Sequence, residues 1–435
     1  MTLASALPTF DQPLPLARME AAWQRSDRIF DLLDPAAFHE RPIALRQPFI
    51  FYVGHLPAFG WNQVMGGLLG RSGPQPELDR LFARGIDPVG VDAYESRELW
   101  PTVRDTLAYR DRVRAALRGS LDEVEELVGR DRLADHGRVY HLVIEHEVMH
   151  HETLLYMMQQ LDRRLLRRPP DLPAYRFGGA APADRVVIPG GPVRLGTSFD
   201  AVPFGWDNEF PGTTEDVPAF AIDTTPVRND EWRAFLDAGG YDRPELWTPD
   251  AWEWRERTGH RHPVFWRRGA GGWRYLTLFD ELPLEDVRDW PVYVSWAEAD
   301  AYARWQGAEL PTEAQVHRAA EGVRWGDPTS GNYDFQQWAP EPVGRNDRGA
   351  SRHGVRDLVG NGWEWTRSVF APFDGFTPWA RTYPGYSTDF FDGGHYVILG
   401  GSWATDRALV RRTFRNWFQP HYPYVFAKFR CVRPG

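Results

Sequence analysis

Apolar residues recur at spacings of three and four through the first part of the chain. That rhythm predicts helices over 16–33, 105–128 and 137–161, with a further helix carrying FYVGHLPAFGWNQ. Helices striped in this way bury their apolar faces against one another, so residues 15–170 are expected to form a helical bundle. The run RRPPDLP at 167–173 cannot continue a helix, because proline lacks the amide donor and forces extended geometry. The expected domains are therefore 1–172 and 173–435. From residue 185 the texture changes to short apolar runs split by Gly, Pro, Asn and Asp, as in RVVIPGGPVRLGTS and YVILGGSW. Only 229–238 and 296–306 read there as helix. The fold class expected is multidomain α+β, a helical bundle followed by an irregular, strand-rich domain.

Composition supports two cores. The chain has 435 residues, beyond the roughly 250–300 at which a single core stops growing. At 42% hydrophobic and 25% charged it has the apolar surface to fill both. A formal net charge of −10, with no basic run, disfavours nucleic acid as a partner. The start, MTLASALPTFDQPLPLARME, lacks a basic end followed by an apolar core, and no stretch approaches the roughly 18 apolar residues that cross a bilayer. A cytoplasmic location without membrane contact is expected. Cys431 is the sole cysteine, which excludes an internal disulfide and any chemistry needing a thiol pair. The 20 tryptophans are mostly core material, but they also suit pockets for cations and flat rings.

The sharpest chemical signal is EHEVMHHETLLYMMQQL. On a helix, His146 and His150 lie one turn apart on one face, where two imidazoles can bind one metal. Glu145 and Glu152 are candidates to orient those rings. His151 is turned away by about 100° and reads as a packing residue. The same letters also spell HExxH, the zinc-hydrolase signature in which Glu147 would be the general base. A third ligand must come from elsewhere, and His55 is the candidate, since bundle sites draw ligands from separate helices.

The order GH at 54–55, HxxxHxE at 146–152, then VVIPGGPVRLG, FAIDTTPVRNDEWRAFLDAGGY, PVYVSWAEADAYARWQGAELPTEAQ, GNGWEWT and LGGSW resembles the nonheme iron sulfoxide synthases of ergothioneine biosynthesis and the related selenoneine synthases. The resemblance covers nearly the whole chain. It implies a DinB-like four-helix bundle joined to a C-type-lectin-like domain of the formylglycine-generating-enzyme (sulfatase-modifying-factor) type. Formylglycine generation itself needs paired cysteines, which this chain lacks. The resemblance further implies Fe(II) held by His55, His146 and His150, with hercynine, a thiol or selenol donor and O₂ as the reacting partners.

The same resemblance assigns the substrate walls. Asn416 matches a residue at the hercynine end, and Trp417 is either an aromatic partner for the trimethylammonium or a packed core ring. Phe418 and Tyr422 stand where γ-glutamylcysteine-using relatives have an acid and an arginine, so that donor would lose its charged partners. A selenosugar, which stacks on rings, fits better. Cysteine remains the alternative, because YPGYSTDFFDG and the YPY of 422–424 are similar to cysteine-using relatives. Met149 stands where many relatives have a glutamine that bonds the imidazole. The family's catalytic tyrosine aligns with Tyr383 or Tyr386, beside Trp379. A lectin-like binding module without catalysis is the remaining reading, and it rests on fold analogy alone.

Overall fold

The structure, a computed structural model, describes residues 15–86, 100–379 and 383–435. Residues 1–14, which hold most of the chain start read above for a leader, lie outside the described residues. The chain forms two units. The first comprises 1–169 with 198–205 and 380–383, and the second comprises 170–197, 206–379 and 384–435. None of the described helices is long and apolar enough to cross a membrane.

In the first unit the helices are α1 (Pro15–Phe30), α2 (Phe49–Gly60), α3 (Pro76–Phe82), α4 (Val103–Arg118), α5 (Leu121–Glu125) and α6 (Arg138–Met158). α6 packs on α1 and α2, and α2 packs on α4. α1 buries Met19, Ala22, Trp23, Ser26, Ile29 and Phe30, the stripe its spacing predicts. The single helix expected over 105–128 is instead two. α4 starts where the Thr102 hydroxyl accepts from the amide of Asp105, and it ends at Gly119. There Ser120 Oγ donates to the carbonyl of Leu117, competing with helix continuation. α6 differs from a surface helix, because every residue except Met149 is buried. It is the central element of the bundle.

The second unit holds α7 (Asn229–Asp237), α8 (Pro249–Thr258), α9 (Trp296–Trp305) and α10 (Glu313–Ala319) among twelve short strands. The strands are β1 (Arg185–Ile188), β2 (Gly191–Leu195), β3 (Thr213–Val217), β4 (Phe220–Asp223), β5 (Trp266–Gly269), β6 (Gly272–Leu276), β7 (Glu281–Pro283), β8 (Trp363–Val369), β9 (Tyr396–Leu399), β10 (Asn416–Phe418), β11 (Ala427–Lys428) and β12 (Val432–Pro434). They form sheets ordered β1-β4-β12, β10-β9-β8-β11, β2-β3 and β5-β6-β7. Two helices escape the periodicity reading. α8 buries only Ala251, Trp254 and Arg255, too few apolar positions to show a period, and its signals are the Thr248 cap and left-handed Gly259. α10 is only seven residues long, and it is fixed by the reciprocal bonds between Thr312 and Gln315.

The centre of this unit is ionic as well as apolar. β11 pairs parallel to β8 with Lys428 opposite Glu364. Glu364 accepts from Lys428 Nζ at 3.0 Å and from Arg430 Nε at 3.0 Å, all three side chains being fully buried. Gly362, at φ 123°, leaves room for that lysine, whose Cγ would sit 3.2 Å from an added Cβ. Burial alone would raise the pKa of Glu364, but Arg430 and Lys428 outweigh it and hold it below the ordinary value. Because the folded value is depressed, the stability from this carboxylate is present above about pH 4.3 and is lost as pH falls through the folded value. Glu364→Ala is expected to cost about 3–5 kcal/mol in urea denaturation, because two buried cations lose their partner. A loss below about 1 kcal/mol would contradict this role.

Candidate metal centre

α6 offers His146 and His150 from successive turns, and α2 brings His55 against both. Ring centroids are 4.6 Å apart for His146 and His150, 5.1 Å for His55 and His146, and 5.2 Å for His55 and His150. One ring nitrogen from each lies within 4.8 Å of the others, and the Nε2 atoms of His146 and His150 are 3.2 Å apart. Two nitrogens each about 2.1 Å from a common ion are about 3.0 Å apart at a right angle and about 3.4 Å apart at the tetrahedral angle. The observed spacing falls between those values. Among the described residues this is the one cluster of its kind.

The setting of His55 explains the preceding glycine. An added Cβ at Gly54 would lie 2.3 Å from the ring of Phe82. The bare backbone of α2 therefore lets Phe82 close in, and the carbonyl of Phe82 accepts from His55 Nδ1 at 2.7 Å. That bond fixes the tautomer and turns Nε2 inward, where it is buried and has no hydrogen-bond partner. A buried imidazole nitrogen without a partner is costly unless something binds it, so the donor set fits a divalent ion. Burial lowers the pKa of His55 to about 4, the Phe82 carbonyl opposing the shift. Burial likewise lowers His146 and His150 well below the ordinary range, each reinforced by neighbouring imidazoles. All three rings are thus neutral near pH 7, the form that ligates.

The partners expected for the two α6 imidazoles are not those observed. Nδ1 of His146 and Nδ1 of His150 have no hydrogen-bond partner, so neither Glu145 nor Glu152 anchors them there. What meets His146 is Phe59, stacked at 3.6 Å with the planes 6° apart. Phe51 stacks on His55 at 4.7 Å, and Tyr52 lies 5.6 Å from His150. Glu147 and His151 face elsewhere, as their positions on the helix require. Ser26 Oγ of α1 donates to Glu147 at 2.5 Å and lies 2.8 Å from His151 Nε2, while Arg114 of α4 is 3.7 Å from Glu147. Burial raises the pKa of Glu147, with Arg114 and Ser26 opposing. This carboxylate closes a buried network and is not poised as the general base of a zinc hydrolase.

The remaining candidates separate by unit. Tyr383 belongs to the first unit, where its ring lies 5.2 Å from Phe59 and 6.2 Å from His146. Met149 is the one residue of α6 that is not fully buried. In the second unit Tyr386 stacks on Trp206 at 4.1 Å and meets Trp417 edge-on at 5.3 Å, and Trp379 stacks on Trp206 at 6.1 Å. Trp417 lies flat on Phe370 at 4.0 Å, so one face of its ring is core packing. Asn416 pairs with Ile398 across β10 and β9, and its side-chain oxygen accepts from the amide of Trp417. Phe418 stacks on Tyr422 at 5.4 Å, and Tyr422 meets Tyr424 edge-on. Sequence reasoning missed Phe59 and Phe82. Phe59 carried a signal, the same four-residue spacing from His55 that links His146 to His150. Phe82 carried none, because its contribution is a backbone carbonyl.

Comparison with known proteins gives concordant results. A model of the sulfatase-modifying factor enzyme 1-like domain matches residues 178–434, and a model of the DinB superfamily matches residues 18–154. The chain is 36% identical to a hercynine oxygenase of Mycolicibacterium smegmatis, with 98% of each chain covered. It is 41% identical to a hercynine oxygenase of Mycobacterium tuberculosis over 68% of this chain and 71% of that one. It is also 30% identical to ergothioneine biosynthesis protein 1 of Neurospora crassa, covering 99% of this chain and 58% of that one.

The packing of Phe82 on Gly54 yields a test. Alanine exceeds glycine in helix propensity by about 0.8–1.0 kcal/mol, yet Gly54→Ala is expected to lower the thermal midpoint because its methyl would displace Phe82. A raised midpoint in a thermal melt would show that Phe82 moves aside without cost.

Proposed function

This chain belongs to the family of the hercynine oxygenases and ergothioneine biosynthesis proteins, and on that premise we propose that it is an Fe(II)- and O₂-dependent enzyme joining a chalcogen to C2 of the hercynine imidazole, with a selenosugar as the donor. The observation that carries the reading is the convergence of three neutral, buried imidazoles on one point. Bound Fe(II) would supply activation of dioxygen and a contact for the chalcogen, since three imidazoles leave further positions open. The stoichiometry balances. The C2 hydrogen and the selenol hydrogen leave as water with one oxygen atom, and the other oxygen remains on selenium as the selenoxide.

The chain's own groups have defined tasks in this reading. His55, held by Phe82, His146 and His150 hold the ion. Tyr383, whose ring lies 6.2 Å from that of His146, holds or gives the proton at its phenolic oxygen. Tyr386 is the second candidate from the sequence. Asn416 and the exposed part of Trp417 take the hercynine end, the ring suiting a trimethylammonium that cannot donate a hydrogen bond. Met149 lines the imidazole without bonding it. Phe418 and Tyr422, already stacked as a flat aromatic pair, favour a sugar over a doubly charged dipeptide. The sulfur alternative, cysteine or γ-glutamylcysteine, uses the same centre and ends in a sulfoxide.

The test is reconstitution of the full chain with Fe(II) without oxygen, then exposure to O₂ with hercynine and each donor in turn, the products being read by mass spectrometry. The expected product carries a C–Se bond and comes from the selenosugar; fastest turnover with γ-glutamylcysteine would overturn the assignment of Phe418 and Tyr422. Tyr383→Phe is expected to lower kcat by about 10² or more, the usual share of a general acid, with little change in KM. An undiminished kcat would remove Tyr383 from the mechanism.

A further inference from the structure

The three imidazoles are not held alike. His55 is pinned by a hydrogen bond from Nδ1 to the Phe82 carbonyl, whereas Nδ1 of His146 has no hydrogen-bond partner. Ligating imidazoles are ordinarily fixed by a partner on the second nitrogen, and without one the ring can turn about its broad χ2 well. Something else must set the plane of His146. The ring of Phe59 lies against it at 3.6 Å and 6°, by far the most intimate ring contact of the cluster. Phe59 stands one turn beyond His55, so a single stripe of α2 supplies one ligand and the wall against a second. The same phenyl ring meets Tyr383 at 5.2 Å.

We infer that Phe59 is the positioning residue for His146: its stacking replaces the missing hydrogen bond, holds Nε2 toward that of His150 and carries Tyr383 beside the centre. The inference rests on the reading of His55, His146 and His150 as a metal site. A stacked phenyl, unlike a carbonyl or carboxylate acceptor, does not increase the basicity of the ligating nitrogen. His146 is therefore a weaker donor than His55, and its geometry depends on shape.

The test is titration of the metal-free full chain with cobalt(II), read by the affinity and the ligand-field absorption bands, with a thermal melt of each metal-free variant as the folding control. Phe59→Leu is expected to weaken cobalt binding by about threefold to tenfold, the range of one lost aromatic contact, and to shift the bands. Phe59→Tyr, which keeps the ring, should restore both. Phe51→Leu removes a ring from His55, whose plane is already fixed by Phe82, and should stay within about twofold of the unaltered chain. If Phe59→Leu does not fold, Phe59→Met keeps the volume without a ring and carries the same expectation. Unchanged affinity and bands in a ring-less variant, or an equal loss in Phe51→Leu, would overturn the inference alone. An unaltered chain that takes up no cobalt would overturn the metal reading as well, which makes the two failures distinguishable.

Discussion

Burial of α6 on nearly every side is the constraint from which the rest of the first unit follows. A helix at the centre of a bundle has no solvent in which to place a polar group, yet this one carries Glu145, His146, Glu147, His150, His151 and Glu152 within two turns. Each such group needs a partner, because an unpaired buried polar atom costs a large part of a domain's small net stability. One face of α6 meets much of this need with protein groups, Ser26 bonding both Glu147 and Nε2 of His151 and Arg114 approaching Glu147. The face with His146 and His150 does not, and neither does the inward nitrogen of His55. Where the ligating nitrogens converge, Nε2 of His146 and His150 meet only one another and Nε2 of His55 meets no hydrogen-bond partner. A bound cation would satisfy those converging nitrogens, and burial keeps the rings in the neutral form that ligates.

α2 is shaped to serve that face. Gly54 admits Phe82, whose carbonyl orients His55, and Phe59 on the next turn covers His146. Gly60 likewise leaves room for Leu117 of α4 and Val143 of α6, with Leu117 2.9 Å from an added Cβ. The helix then passes into a π-helical stretch at Trp61–Leu68, beyond Pro57, a change of winding that often accompanies functional sites. Aromatic rings therefore lie against these imidazoles where many metal centres place carboxylates. Rigid packing supplies orientation without adding charge to a site with no solvent to screen it.

The second unit follows a different economy. Its strands are short, so side-chain pairs rather than long ladders bind the sheets. The Glu364, Lys428 and Arg430 cluster and the contacting rings of Trp206, Trp379, Tyr386, Trp417 and Phe370 are examples. Several residues assigned to substrate by resemblance sit in or beside such packing. Trp417 illustrates the point, since one face of its ring is already occupied by Phe370. A ring of this kind contributes to the core and offers a ligand only what the core leaves uncovered.

The sequence by itself determined a great deal here: the change from helical to strand-rich texture, the four-residue spacing of His146 and His150, the GH dipeptide, and the absence of a second cysteine. These are properties of local geometry and composition, legible because helical periodicity puts residues four apart on one face whatever surrounds them. The short helices α8 and α10 were not legible, since their apolar positions are too few to show a period and their caps alone mark them. Only the tertiary structure decided which nitrogen of His55 faces inward, that Phe59 rather than Glu145 or Glu152 meets His146, and that Glu147 belongs to a separate network. Those outcomes depend on contacts between α6 and α1, α2 or α4, and on a backbone carbonyl at Phe82. Such contacts join residues far apart in the chain, and no local pattern encodes them.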